Sequence, residues 1–197
     1  RSSAGSLFRR PGVEIQRRID AAIEGEVIEV EPGIYQGPID FRGKAISLRS
    51  RDGAERTIIE GPARGGPAVI IRGQPSSRGA QLTGFTIRSG RGPNGTGVFV
   101  ERADPLIARC VISGNSASGL RLEESRAVID ECRFLGNSAG PFGGAVQSRG
   151  GAPIFVSCGF EGNVAVTGGG APFFSRRAPP LPRRAKIAAL FLLRLAS

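Results

Sequence analysis

Histidine, methionine and tryptophan are absent from this 197-residue chain; tyrosine occurs once and cysteine three times. Without His there is no His-based catalytic triad and no His-ligated metal site. An odd and sparse set of cysteines excludes a disulfide scaffold. Aromatic residues make up only 6% of the chain, which argues against a helical bundle. Long apolar runs are lacking too: 187–193 is too short to cross a bilayer and Arg194 follows it. With no Met and Arg1 as first residue, the native start is expected to lie upstream, together with any signal peptide.

What is plentiful is glycine, 30 residues, with 14 prolines. That balance favours many short strands joined by tight turns, and an apolar content of 40% excludes wholesale disorder. The formal charge of +10 would suit a nucleic-acid binder, but it is unevenly placed. Residues 176–197 hold six basic side chains (Arg176, Arg177, Arg183, Arg184, Lys186, Arg194) and no acidic one. Elsewhere the basic excess is small and scattered, without a basic stripe interleaved with aromatics, so no nucleic-acid partner is expected.

The strongest signal is internal repetition. Segments 105–115, 127–137 and 153–163 align without gaps, their starts 22 and 26 residues apart. Cys110, Cys132 and Cys158 fall in one column; Ile112, Phe134 and Phe160 in a second; Gly114, Gly136 and Gly162 in a third; Asn115, Asn137 and Asn163 in a fourth. Residues 82–90 form an earlier copy, with Phe85 in the cysteine column and Gly90 in the asparagine column. A further apolar beat begins at Val98, Leu120 and Val146. Each unit holds about three short alternating runs and has no room for a crossover helix. The fold class that satisfies both facts is an all-β, right-handed parallel β-helix with three short strands per coil, its rungs stacked about 4.8 Å apart. The leucine-dense consensus of leucine-rich repeats is absent.

Alternation points Val98, Leu120, Val146, Ile112, Phe134 and Phe160 inward. The asparagines fall at a sharp corner, where Asn tolerates left-handed angles and stacked amides can bond from rung to rung. The cysteines read as small core residues rather than a redox site, with a disulfide between neighbouring rungs unsupported. At the N-terminal end Ile15, Ile19, Ala22 and Ile23 recur at helical spacing before Gly25, predicting an amphipathic helix that caps the first rung. These patterns divide the chain into a leader or linker (1–12), a β-helix domain (13–170) and an irregular basic Pro/Arg-rich tail (171–197). Pro172 sits where an inward residue is due, and three readings of the tail stay open: an ending rung plus linker, an irregular cap, or sequence unrelated to the repeat.

Residues 15–35, 39–48 and 57–61, with 82–87 and the Cys-x-Phe-x-Gly-Asn units, resemble the pectin-lyase-like right-handed parallel β-helix proteins. Gly143-Gly-Ala-Val146, with Phe134 and Phe160 three residues before Asn137 and Asn163, is also similar to polymorphic outer-membrane protein repeats. The resemblance spans about residues 13–170. It implies the fold and an extracellular or cell-surface setting, while the family mixes lyases, hydrolases, adhesins and inert scaffolds.

A lyase of this fold is expected to set a basic residue over a groove beside carboxylates that hold calcium; a hydrolase needs clustered carboxylates. The repeat alignment stacks Phe99, Arg121 and Gln147 on one outer face, with Glu101, Glu123 and Arg149 alongside and Glu124 adjacent. Arg121 flanked by Glu101, Glu123 and Glu124 is the only constellation to name as catalytic; Phe99, Arg121 and Gln147 are the binding candidates. The bland alternative is a solvated, cross-paired outward face. The GxGxxG match at 90–95 precedes another strand rather than a helix, so it reads as a turn, and Asn94-Gly-Thr96 is a sequon that matters only in a eukaryotic secretory setting. The expected function is a noncatalytic secreted or surface module that binds carbohydrate or another cell-surface component, as a monomer or part of a larger chain, with no cofactor. The alternatives are a calcium-assisted polysaccharide lyase, where alone calcium enters, and a structural fragment of a larger passenger protein.

Overall fold

The computed structural model describes residues 9–11, 13–73, 79–92, 94–139, 143–165 and 173–174. Strand alternation dictates its form. Along each coil the chain visits three parallel sheets in turn, and every strand pairs with its counterpart one coil away. The first sheet stacks Val27–Val30, Ser47–Ser50, Gln81–Thr83, Leu106–Ala108, Val128–Asp130 and Ile154–Val156. The second stacks Arg9–Pro11, Gly33–Gln36, Thr57–Glu60, Thr86–Arg88, Val111–Ser113, Arg133–Leu135 and Gly159–Glu161. The third stacks Ile39–Asp40, Val69–Arg72, Val98–Glu101, Leu120–Ser125, Val146–Gly151 and Phe173–Phe174. The molecule is a right-handed parallel β-helix, as the repeat requires.

The expected columns are the observed registers. Ile112 pairs with Phe134 and Phe134 with Phe160; Val98 pairs with Leu120 and Leu120 with Val146. All of these except Phe160 are fully buried, and Phe160 packs against the same core. Phe134 and Phe160 stack at 5.0 Å between ring centroids, 7° from parallel, so the column is aromatic as well as apolar.

The asparagine column is a buried amide ladder. Asn115 Nδ2 donates to Asn137 Oδ1 at 2.9 Å, and Asn137 Nδ2 donates to Asn163 Oδ1 at 2.9 Å. The same oxygens accept the backbone N–H of the preceding asparagine, at 3.2 and 3.0 Å. Each Nδ2 also reaches back one coil, to the carbonyls of Ile87, Ile112 and Phe134. At the start of the ladder Gly90 N–H donates to Asn115 Oδ1 at 2.9 Å. The left-handed angle, however, belongs to the residue before each asparagine: Gly114, Gly136 and Gly162 have φ of 60°, 57° and 62°, and Ser89, before Gly90 in the same column, has 61°. Asparagine is chosen for its inward amide, and glycine makes the bend that aims it.

The three cysteines are free thiols, with Cys110 and Cys132 buried. Each donates to the carbonyl two residues before it, at 3.3, 3.4 and 3.3 Å. The adjoining Cys110 thiol and burial push Cys132 up, and burial pushes Cys158 up, which favours the inert thiol over the reactive thiolate.

The N-terminal coil is closed on all three sheets. Strand Arg9–Pro11 covers Gly33–Gln36, while the helix Val13–Ala21 packs on Val27–Val30 and Ile39–Asp40 with Ile15 and Ile19 buried. Gln16 imitates a missing strand: its amide donates to Asp40 O and accepts Asp40 N–H, both at 2.9 Å. Ile23 does not join the apolar face; it lies past the helix and is 74% exposed. The reason is Lys44, whose Nζ donates to the carbonyls of Ile19, Asp20 and Ala22 at 2.9, 2.7 and 2.9 Å and ends the helix there. Lys44→Met keeps the stem but leaves these carbonyls without their cation, so about 1–2 kcal/mol of stability should be lost in urea unfolding. A loss under about 0.5 kcal/mol would mean that solvent satisfies the helix end equally well.

Of the predicted tail, Phe173–Phe174 pairs with Gln147–Ser148; residues 171–172, Pro172 among them, and 175–197 lie outside the described residues.

Candidate functional site

The outer face of the third sheet carries the residues singled out from the repeat, and the register places them as expected. Phe99 pairs with Arg121 and Arg121 with Gln147. One pleat on, Glu101 pairs with Glu123 and Glu123 with Arg149. One coil earlier, Ile70 and Arg72 occupy the same two columns.

Two guanidinium groups are drawn over Phe99 from the strands on either side. Arg72 Cζ lies 5.4 Å and Arg121 Cζ 5.5 Å from the ring centroid, within cation–π range. Each is held by a carboxylate: Arg72 Nε lies 3.1 Å from Glu101 Oε2, and Arg121 Nε donates to Glu123 Oε1 at 3.0 Å. Like charges directly opposite in a sheet repel, and Glu101 faces Glu123; the two arginines offset that. The result is an Arg–Phe–Arg stack clamped at both ends by Glu. Phe99 thus lies within reach of two ordered guanidinium groups.

Beyond the stack three successive coils carry a left-handed residue: Arg102 at φ 49°, just after Val98–Glu101, Glu124 at 52° within Leu120–Ser125 and Gly150 at 73° within Val146–Gly151. Non-glycine residues in this region carry strain that the surrounding pairing must hold. Arg102 and Glu124 lie beside Glu101, Glu123, Arg149, Gly150 and Gly151, which together line an open depression of about 670 Å³. Glycine is required at its floor, since a Cβ at Gly151 would fall 2.0 Å from Ser125 O. Arg102 approaches Glu101 only to 3.9 Å, and neither Glu124 nor Arg149 makes an ion pair with a described residue.

Glu101, Glu123 and Glu124 thus line one depression, while Arg121 lies outside its lining, bound to Glu123 and over Phe99. Gln147 and Phe99 lie beside the depression on the sheet rather than in its lining. The sequence reading missed Arg72 and Arg102. Extending the register one coil back, from Val98–Glu101 to Val69–Arg72, would have found Arg72, but the spacing between those strands is longer than in the aligned repeats, which hides the match. Arg102 is outside every aligned column.

Calcium, which the lyase alternative brings with it, does not fit these residues. Glu101 and Glu123 are engaged by arginines, and among the described residues no group of three or more His, Cys, Asp and Glu side chains could hold a metal ion. Arg121 is paired with Glu123 and lies over Phe99. The depression can instead offer fixed hydrogen-bond acceptors and guanidinium donors to a polar ligand.

A family model for the right handed beta helix region matches residues 43–175. A search of the curated proteins finds no match. Among solved structures, a pectin methylesterase from carrot aligns over 79% of this chain and 65% of its own, slightly under two thirds of its length, at 13% identity and a TM-score of 0.46. With the family model covering well over half of its length, the chain belongs to the right-handed β-helix family.

Proposed function

We propose that this chain is a noncatalytic carbohydrate-binding module, presented outside the cell, which holds a glycan against the third sheet. The observation that carries the reading is the depression beside the clamped Arg–Phe–Arg stack: Glu124, Arg149 and Arg102 reach into it while ion pairs hold the neighbouring groups still. Carboxylates accept hydrogen bonds from vicinal hydroxyls, and a guanidinium fork donates to ring and hydroxyl oxygens. The rise of the coil, about 4.8 Å, lets an extended chain present successive units to successive rungs.

The test is affinity electrophoresis on a panel of immobilised neutral and acidic polysaccharides. Retardation on at least one, weakened about tenfold or more in Arg149→Ala through loss of a charged hydrogen bond, is expected. An unsaturated, ultraviolet-absorbing product in the same mixtures would overturn the noncatalytic reading in favour of a lyase. Absence of both binding and product would leave the scaffold alternative.

A further inference from the structure

We infer that the apolar run 187–193 packs across the C-terminal end of the coil and covers it. Among the described residues the first and second sheets stop at Ile154–Val156 and Gly159–Glu161, and only the third continues, to Phe173–Phe174. Two strand edges are thus left without a neighbour. The core columns lose their cover at the same rung. Ile129, Cys132 and Phe134 are 0% exposed, whereas their successors Phe155, Cys158 and Phe160 are only partly buried. Ile154, Val156 and Val164 beside them are exposed by 42%, 45% and 57%. The amide ladder also stops short. Asn115 and Asn137 each give their backbone N–H to the asparagine of the next coil, but Asn163 N–H has no partner among the described residues.

The chain leaves Phe174 on this same end, and residues 175–197 are about as many as one coil holds. They cannot form another regular rung. Counted on in the register of Phe173 with Gln147, positions 180 and 182 oppose Ile154 and Val156. In the first of those columns the backbone N–H bonds one coil back, from Val128 to Pro105 O and from Ile154 to Ala127 O. Pro180 has no N–H to give, nor has Pro182. Past these prolines comes Ile187-Ala-Ala-Leu-Phe-Leu-Leu193, the longest unbroken apolar run in the sequence. Residues 175–186 reach up to about 40 Å when extended, ample for an end whose edge strands are only about 10 Å long. Laying the run over Phe155, Phe160 and Val164 removes two apolar surfaces from water together. Lys186 and Arg194, which flank it, then stay at the rim, where Glu131 and Glu161 are exposed and make no ion pair with a described residue.

Cys158 reports on this end, because it is partly buried while Cys110 and Cys132 lie inside the coil. The experiment labels the full chain with a maleimide and reads each thiol by mass spectrometry. Leu190→Asp is expected to label at Cys158 at least about tenfold faster than the unaltered chain, since exposing one leucine shifts an opening equilibrium by that much. Cys110 and Cys132 should stay unlabelled in both, which shows the coil intact; should they label in Leu190→Asp, the milder Leu190→Ala is read in its place. Backbone hydrogen exchange in the unaltered chain needs no variant: 154–163 should be protected to within about tenfold of 128–137, as for one cooperative unit. Equal labelling of Cys158 with and without the substitution, or exchange of 154–163 at the unprotected rate, overturns the inference. Protection that appears only as protein concentration rises, with a doubled sedimentation mass, also overturns it and assigns the end to a second copy of the chain.

Discussion

Asn137→Ala should lower the stability of the coil by about 3–5 kcal/mol, more than any surface substitution on the same rung. The Asn137 side chain is fully buried and takes part in four hydrogen bonds. Its oxygen accepts from Asn115 N–H and Asn115 Nδ2, and its nitrogen donates to Ile112 O and Asn163 Oδ1. Removing the amide strands donors on one side and acceptors on the other, each buried where water does not reach, at about 1–3 kcal/mol apiece before relaxation. Asn163 sits at a half-buried position at the end of the described ladder, so Asn163→Ala should cost about half as much. Urea unfolding of both variants checks this. A loss below about 1 kcal/mol for Asn137→Ala would mean that the bend made by Gly136, rather than the amide, holds the corner.

Phe134→Ala is expected to cost a similar amount, about 3–5 kcal/mol, through a different mechanism. The ring is fully buried and stacked on Phe160 in the next coil. It also presses on Gly119, where an added Cβ would come within 3.0 Å of Phe134 Cδ1 and 2.7 Å of Ala145 O. Backbone-to-backbone spacing within the coil is set by strand pairing, so the walls cannot collapse into the space vacated by the ring. Phe134→Leu refills most of it and should recover at least half of the loss, as seen by thermal unfolding. Failure of leucine to recover stability would place the effect in ring stacking rather than in volume.

The columns could be read from the chain because a β-helix converts sequence period directly into spatial neighbours. Once Cys110, Cys132 and Cys158 are aligned, the pairing of Phe99 with Arg121 and of Glu101 with Glu123 follows. What the period does not encode is the side-chain rotamer. Glu101 lies across the strand pair, close enough to compete, yet Arg121 turns to Glu123 two residues along its own strand, and Glu101 is taken by Arg72 from the coil before. The end of the helix was hidden for a similar reason. Apolar spacing carries on through Ile23, but Lys44, distant in sequence, captures the carbonyls that stop it. The asparagines were legible as corner residues, whereas the division of labour between bend and amide needed backbone angles.

The three corners of a coil differ in how much chain they hold, and that difference has an evolutionary consequence. Passage from the first sheet to the second uses only residues 109–110, 131–132 and 157–158 in successive coils, each built on one left-handed residue and one buried or half-buried cysteine. Passage from the second sheet to the third uses 114–119 in one coil but 136–145 in the next. An insertion at the first kind of corner would invert inside and outside for every strand downstream. At the second it is absorbed beyond the amide ladder, which has already locked the rung in place. Descendants of this chain can therefore gain or lose residues there without renegotiating the core.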